Sequence, residues 1–242
     1  MIIKKIYSPN HSKKSRNNKE IKLIVIHYTG MQSKIASIKR LLNSRFKVSC
    51  HYLIDRKGQI IRMVDENKTA WHAGKSKWKT FSNLNKNSIG IELVNKGHSF
   101  GYETFPNSQI NQLIKLCLYL KKKYRIKSSN IVGHSDIAPL RKKDPGEKFP
   151  WQSLSKKKIG YWHGINKKNI NKQSFSKSGL RNFFFNNLHK IGYRYFDKKK
   201  PSKDDAKVTK AFQRRFRQNK VNGLIDQECL QISYYLANSL KY

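Results

Sequence analysis

The first 150 residues carry five short segments with the hydrophobic pattern of β-strands. They are residues 22–27 (KLIVIH), 51–55, 59–64, 88–94 (SIGIELV) and 130–132. The first is an apolar run of strand length. The fourth is rich in β-branched residues, and its apolar side chains fall at alternate positions. The second and third flank the turn at residues 56–58 and therefore predict a β-hairpin.

Helical patterns lie between these strands. Residues 33–43 and 108–124 carry apolar side chains at helical spacing, and Ser108 is a candidate cap for the second helix. Strands that alternate with helices indicate an α/β domain. We expect this domain to end near Trp151.

The remainder of the chain has a different pattern. Residues 153–177 are rich in Lys, Asn and Ser with little periodicity, and are predicted to form a linker docked on the first domain through Tyr161 and Trp162. Three helical segments follow, and they are sufficient for a small three-helix domain. The predicted helices are residues 178–191, 204–218 and 226–240. The predicted division is therefore a domain at 1–152, a linker at 153–177 and a helical domain at 178–242.

Charge is the most unusual feature of the composition. The 242 residues include 52 Lys and Arg against 14 Asp and Glu, a formal net charge of +38. Such a charge favours an anionic partner, such as nucleic acid, a cell-wall polymer or a membrane surface. However, 40 of the basic residues are lysines scattered along the chain, and an A/T-rich genome would also favour Lys, Asn and Ile. We therefore expect no specific nucleic-acid partner. A membrane span is not expected either, because no apolar run approaches the roughly 18 residues that it needs.

Polar residues at the ends of the predicted strands are the candidates for chemistry. His27 closes the first strand, His134 follows the last, and Asp144 lies in an Asp-Pro-Gly turn. Two histidines and one carboxylate can hold zinc and leave a fourth position open. Glu92, in the SIGIELV strand, is suited to proton transfer, and Lys142 to stabilising an oxyanion. Each of these residues also has an ordinary structural explanation, and spacing alone does not decide between them.

Residues 7–151 resemble the type 2 N-acetylmuramoyl-L-alanine amidases, the zinc peptidoglycan amidase family that includes AmpD and AmiD. Matching segments follow one another in the family's order. They are 8–11 (SPNH), 25–30 (VIHYTG), 48–54 (VSCHYLI), 70–74 (AWHAG), 88–93 (SIGIEL), 133–139 (GHSDIAP), 142–146 (KKDPG) and 149–151 (FPW). The resemblance implies a central mixed β-sheet flanked by helices and one Zn²⁺ per chain.

The resemblance also implies residue roles. His27, His134 and Asp144 match the zinc ligands of the family. Glu92 matches its catalytic acid/base, and Lys142 matches the lysine that stabilises the transition state.

One difference separates this chain from a neighbouring branch of the superfamily, which places a catalytic tyrosine where this chain has Cys50. The glutamate in the SIGIELV strand instead resembles the AmpD/AmiD branch. Three protein ligands and a water complete a zinc site. His51 and His72 are therefore expected to line or shape the cleft, and Tyr28 and Trp71 are candidates for contact with sugar or peptide.

The C-terminal segments 211–216 (AFQRRF) and 221–226 (VNGLID) resemble a three-helix peptidoglycan-binding domain. Such a domain would raise the effective concentration of a wall substrate by tethering. The alternative is a helical bundle that only stabilises the amidase domain.

The expected function is zinc-dependent hydrolysis of the amide between N-acetylmuramic acid, or its 1,6-anhydro form, and L-alanine in peptidoglycan or muropeptides. A non-catalytic peptidoglycan-recognition module and a basic nucleic-acid-binding protein are the alternatives. The sequence shows no export signal, so a cytoplasmic location is expected. A monomer is expected by default. The C-terminal resemblance instead favours a periplasmic or wall-facing location.

Overall fold

The computed structural model describes residues 2–165 and 177–239. The strands in these ranges are β1 (Ile3–Lys5), β2 (His11–Ser15), β3 (Leu23–Tyr28), β4 (Tyr52–Ile54), β5 (Ile60–Arg62), β6 (Lys68–Ala70), β7 (Lys77–Trp78), β8 (Phe81–Ser82), β9 (Ser88–Leu93) and β10 (Ile131–Gly133). The α-helices are α1 (Lys34–Leu42), α2 (Asn107–Tyr124), α3 (His134–Ile137), α4 (Trp151–Ser155), α5 (Lys177–Ile191), α6 (Asp205–Phe216) and α7 (Gln227–Ser239).

Six strands form one mixed sheet in the order β1-β5-β4-β9-β3-β10. Strands β4 and β5 pair antiparallel, which confirms the predicted hairpin, and the other neighbours in this sheet pair parallel. Strands β2 and β6, and β7 and β8, form two small antiparallel pairs. The predicted α/β architecture with a central mixed sheet and flanking helices is confirmed.

The parallel centre of the sheet brings distant polar residues to one edge. Strand β3 lies between β9 and β10, and all three run in the same direction. His27 on β3 is in register with Glu92 on β9, and Ile26 is in register with Gly133, directly before His134. Because parallel strands end at the same edge, these side chains meet at the carboxyl edge of the sheet, where open α/β sheets bind ligands.

Helices cover both faces of the sheet. In β3, Ile24 and Ile26 point into a core shared with α2. The alternate residues Leu23 and Val25 point into a second core, which includes Phe212 and other residues of α5, α6 and α7. A strand that is covered on both faces is apolar at successive positions. The unbroken KLIVIH run therefore reflects burial from two sides.

A buried carboxylate connects α2 to the hairpin. Glu66 accepts hydrogen bonds from the hydroxyls of Tyr52 and Tyr124, and Lys123 Nζ lies 2.6 Å from its Oε2. Burial by itself would raise the pKa of Glu66, but the hydrogen bonds from Lys123, Tyr124 and Tyr52 hold that pKa below its usual value. The ionised form of Glu66 therefore stabilises the fold.

Several local predictions differ from the structure. Helix α2 begins one residue before Ser108, and Ser108 Oγ donates to the Arg56 carbonyl 2.7 Å away instead of capping the helix. Strand β3 ends at Tyr28, one residue beyond the predicted strand 22–27. The short strands β1, β2, β6, β7 and β8 were not predicted, because most of their side chains are polar or partly exposed and so lack a strand pattern.

The predicted linker is partly packed into the protein. Helix α4 runs across position 152, Leu154 and Ile159 are fully buried, and Trp162 contacts both cores. Residues 166–176 of that linker lie outside the described residues. Helices α5, α6 and α7 match the three predicted C-terminal helices, while the division into three parts stays a prediction. Among residues 2–165 and 177–239, no helix is long and apolar enough to cross a membrane.

Candidate active site

Three side-chain atoms converge at the carboxyl edge of the sheet. His27 Nδ1 lies 2.9 Å from His134 Nδ1, and each of these nitrogens lies 3.0 Å from Asp144 Oδ2. The backbone reinforces this arrangement, because Ser135 N–H donates to the Asp144 carbonyl at 2.8 Å. All three residues are buried. Two nitrogens and one oxygen therefore form a triangle with edges near 3 Å.

A hydrogen-bond chain leaves His27 Nδ1 without a proton. The Ser88 hydroxyl donates to the Leu84 carbonyl at 2.6 Å, so it must accept from His72 Nε2–H, 3.2 Å away. His72 Nδ1 is then an acceptor, and His27 Nε2–H donates to it at 3.0 Å. A neutral imidazole carries one proton, so the inward-facing Nδ1 of His27 is a bare lone pair.

The second histidine is oriented in the same way. His134 Nε2 lies 3.1 Å from the carbonyl oxygen of Ala73, which can only accept. Arg141 Nη2 lies farther from Nε2, at 3.4 Å, so the shorter contact favours a proton on Nε2. In that neutral tautomer, His134 Nδ1 also presents a lone pair to the triangle. Hydrogen bonds of this kind to the outer ring nitrogen are the usual support of a metal-binding histidine.

The charge state of the triangle fits a cation. Burial, followed by the charge of His134, lowers the pKa of His27 to about 4. Burial by itself would raise the pKa of Asp144, but His134 and His27 outweigh it and hold that pKa far below its usual range. A neutral His27 Nδ1 and an ionised Asp144 Oδ2 thus face His134 Nδ1 in the triangle, an arrangement that a bound cation would stabilise.

The donor set and its size suit zinc. These three side chains offer ligand atoms within 4.8 Å of one another. Tetrahedral zinc with bonds of ~2.0–2.1 Å places its ligand atoms roughly 3.3 Å apart, so the observed edges need only a small expansion. With three protein ligands, a fourth position would remain open toward the cleft.

Glu92 lies next to this triangle through its register with His27 on the adjacent strand. Its Oε2 is buried and has no hydrogen-bond partner among the described residues. Burial, followed by the charge of Asp144, raises the pKa of Glu92 to about 8, and the charge of Lys142 opposes this shift. A carboxyl group with a pKa near neutrality can both accept and return a proton.

A cleft of about 410 Å³ opens above the triangle. Tyr28, Trp71 and His72 line it, and so do His27, His134, Asp144, Glu92 and Lys142. His51 does not line it. That histidine is fully buried behind His72, with Gly90 N–H donating to its Nδ1 at 3.0 Å, and it shapes the cleft only through its neighbours.

The cleft wall is basic. Besides Lys142, its lining includes Arg40, Arg141 and Lys143. The Arg40 guanidinium lies over the Phe46 ring, 4.3 Å from its centroid, and pairs with no carboxylate among the described residues. A planar cation held against a ring is well placed to bind a ligand carboxylate.

Sequence reasoning missed one group at the cleft. His98, in the loop after β9, lies 3.2 Å from Glu147 and 2.8 Å from the Tyr28 hydroxyl. Because Glu147 only accepts, His98 Nε2 donates to it, and His98 Nδ1 accepts the Tyr28 proton. Burial, followed by Asp144, raises the pKa of Tyr28 to about 12. The available signal was a histidine in a glycine-containing loop directly after a strand that carries a catalytic candidate.

Comparison with known proteins agrees with this geometry. Residues 17–147 match the Amidase_2 family, described as N-acetylmuramoyl-L-alanine amidase. The chain belongs to this amidase family. It is 36% identical over 230 residues to the N-acetylmuramoyl-L-alanine amidase AmiD of Escherichia coli K12, covering 88% of this chain and 81% of that protein. It is also 34% identical over 172 residues to the 1,6-anhydro-N-acetylmuramyl-L-alanine amidase AmpD of Haemophilus influenzae, covering 62% and 88%.

Solved structures of amidases share the fold across nearly the whole chain. AmpDh3 of Pseudomonas aeruginosa superposes with a TM-score of 0.83 at 32% identity, covering 98% of this chain and 99% of that one. E. coli AmiD, solved with anhydro-N-acetylmuramic acid-L-Ala-D-γ-Glu-L-Lys, superposes with a TM-score of 0.79 at 32% identity, covering 95% and 92%. These matches confirm the predicted family, fold class and enzyme class. The roles of individual residues stay proposals.

Proposed function

We propose that this chain is a zinc-dependent amidase that hydrolyses the bond between N-acetylmuramic acid and L-alanine in peptidoglycan fragments. The observation that carries the proposal is the triangle of ligand atoms from His27, His134 and Asp144, beside which Glu92 Oε2 is buried without a hydrogen-bond partner among the described residues. Membership in the amidase family supports the same reaction.

His27, His134 and Asp144 would hold the zinc ion. When bound there, zinc supplies a Lewis acid that polarises the amide carbonyl and makes water more acidic. The outer hydrogen bonds to His72 and to the Ala73 carbonyl keep the two imidazoles in the tautomers that binding needs.

Glu92 and Lys142 perform the remaining steps. Glu92 removes a proton from the attacking water while the new C–O bond forms at the lactyl carbonyl. The same carboxyl group then delivers that proton to the nitrogen of L-alanine as the C–N bond breaks. Lys142 stabilises the developing oxyanion with its fixed positive charge. The products are a lactyl carboxylate and a free stem peptide.

The cleft favours an anionic substrate. A γ-linked glutamate, as in the ligand bound to AmiD, keeps a free α-carboxylate, and AmpDh3 was solved with anhydromuramic pentapeptide. The basic residues of the cleft wall complement such a peptide. We propose that Tyr28 and Trp71 contact the sugar or the first peptide residues as apolar walls.

The test is mass spectrometry of products from the purified chain with anhydro-muropeptide and with intact sacculi. Free stem peptide should appear, disappear with a chelator and return with added zinc. Faster release from the anhydro fragment would fit the cytoplasmic expectation, and faster release from sacculi would fit a wall-facing location.

Two variants separate binding from catalysis. Glu92→Gln should keep stoichiometric zinc and lose at least ~10²-fold in kcat, because only proton transfer is removed. Asp144→Ala should lose zinc and activity together. A zinc-loaded wild type that releases no peptide from either substrate would contradict the proposal and leave the recognition module as the better account.

A further inference from the structure

A buried ion pair joins the C-terminal helices to the segment that carries His134. Asp136 lies in α3, two residues after His134, and its Oδ2 accepts from Gly133 N–H at 2.7 Å and from Arg215 Nη1. Its Oδ1 accepts from the Tyr193 hydroxyl at 2.6 Å. The Asp136 and Arg215 side chains are each 1% exposed. Asp136 thus has partners on both oxygens, and two of its three donors belong to the C-terminal part of the chain.

Arg215, on α6, is held in a fixed orientation. Its Nη2 donates to the Ile131 carbonyl of β10 at 3.0 Å, and its guanidinium lies 4.2 Å from the Trp151 ring centroid. Burial by itself would lower the pKa of Arg215, but Asp136 outweighs it, so the pKa is raised. The Arg215 guanidinium therefore contacts the chain on both sides of Gly133, at Ile131 before it and at Asp136 after it.

The same segment is connected to the other proposed ligand. Ser135 N–H, at the start of α3, donates to the Asp144 carbonyl at 2.8 Å and so connects α3 directly to the Asp144 loop. A shift of Asp136 would displace His134 from the triangle and would also loosen Asp144. Outer contacts of this kind set the orientation of metal ligands.

We propose that Arg215 and Tyr193 are positioning residues for the metal site, acting through Asp136 on His134 and Asp144. This inference rests on the zinc site of the proposed function. It makes the C-terminal helices a part of the metal-binding unit, whether or not they also bind glycan. None of the described residues of these helices lines the cleft, in keeping with a role behind the ligands.

The test is the zinc dissociation constant of the full chain, measured by competition with a chromophoric chelator. Arg215→Met should weaken zinc binding ~10–100-fold, as loss of outer contacts does at other metal sites. With zinc in excess, its kcat on muropeptide should fall while KM stays within about twofold, because the substrate contacts are untouched.

A matched control is Arg181→Met. Arg181 pairs with Asp205 inside the C-terminal helices, with Nε 2.7 Å from Oδ2, and is also largely buried. This variant should lower the melting temperature and leave zinc affinity unchanged. Equal loss of zinc affinity in Arg181→Met and Arg215→Met would overturn the proposal, since general loosening of the helices would then explain both.

A second variant covers the case in which Arg215→Met does not fold. Tyr193→Phe removes only the hydroxyl that donates to Asp136 and keeps the ring against Trp78. It should weaken zinc binding about threefold to tenfold, and unchanged affinity would overturn the proposal. Zinc affinity is measured without turnover, so the two proposals can fail separately. A wild-type protein that binds zinc but cleaves no substrate would refute the proposed function and leave the role of Arg215 and Tyr193 in zinc binding intact.

Discussion

Gly90 lies under the His72 ring and leaves no room for a side chain. A Cβ added to Gly90 would lie 2.3 Å from His72 Cγ and 2.6 Å from both Cδ2 and Nδ1. Carbon atoms in proteins pack at roughly 3.5 Å or more, so the ring must retreat by about 1 Å. Such a retreat stretches the 3.0 Å hydrogen bond by which His72 orients His27. Gly90→Ala should therefore damage both stability and the metal site.

The magnitude follows from two contributions. Forcing one extra carbon into a packed core costs about 1–3 kcal/mol. A lost hydrogen bond between His72 and His27 adds roughly 1 kcal/mol. If the ring is absent, the three atoms nearest to the methyl group added at position 90 are gone, and alanine is favoured over glycine in a strand by about 0.5–1 kcal/mol. The coupling energy between positions 72 and 90 should thus be about 2–4 kcal/mol.

The assay is urea unfolding of four metal-free proteins: the wild type, Gly90→Ala, His72→Ala and the double variant. Gly90→Ala should be destabilising in the wild-type background and neutral or slightly stabilising in the His72→Ala background. Its zinc affinity should also fall, because the support of His27 is disturbed. Equal costs of Gly90→Ala in both backgrounds would refute the reasoning, since the clash with His72 would then not be the cause.

Two further predictions concern the cleft wall and the buried carboxylate. Arg40→Met should raise KM about threefold to tenfold for a stem peptide with a free glutamate carboxylate and leave the KM for an amidated peptide unchanged. The control Arg45→Met lies outside the cleft lining and should change neither KM. Equal effects of Arg40→Met on both peptides would exclude recognition of the carboxylate. Glu66→Gln should cost about 2 kcal/mol at pH 7, because charge-assisted hydrogen bonds are lost. The folded-state pKa of Glu66 is depressed, so the stability that its charge supplies is present above pH ~4.5 and is lost as the pH falls through that lower pKa. The difference between Glu66→Gln and wild type in urea unfolding should shrink from pH 7 to pH 3, and a difference independent of pH would contradict the role of the charge.

Most of the elements and the candidate residues of the site could be predicted from the amino-acid sequence. Apolar runs of strand length and helical spacing are local properties, so β3, β9, α1 and the C-terminal helices could be read from them. His27, Glu92 and His134 follow the rule that polar residues at the ends of parallel strands share one edge of the sheet. Asp144 and Lys142 were candidates as well, although they lie in a loop where periodicity carries no information, and the resemblance to the amidase family implied their roles.

The support of these residues became visible only in the folded chain. The hydrogen-bond chain from Ser88 through His72 to His27 joins three separate segments, and its tautomers depend on which carbonyl lies within reach. The position of the C-terminal helices also became visible only in the folded chain. The sequence pattern predicted a separate three-helix domain, whereas in the structure these helices pack against the second face of the sheet. Arg215 and Asp136 are 79 residues apart and form one buried pair. Hydrophobic periodicity indicates that a side chain is buried. It does not indicate which residue that side chain packs against, because this partner depends on how the whole chain folds.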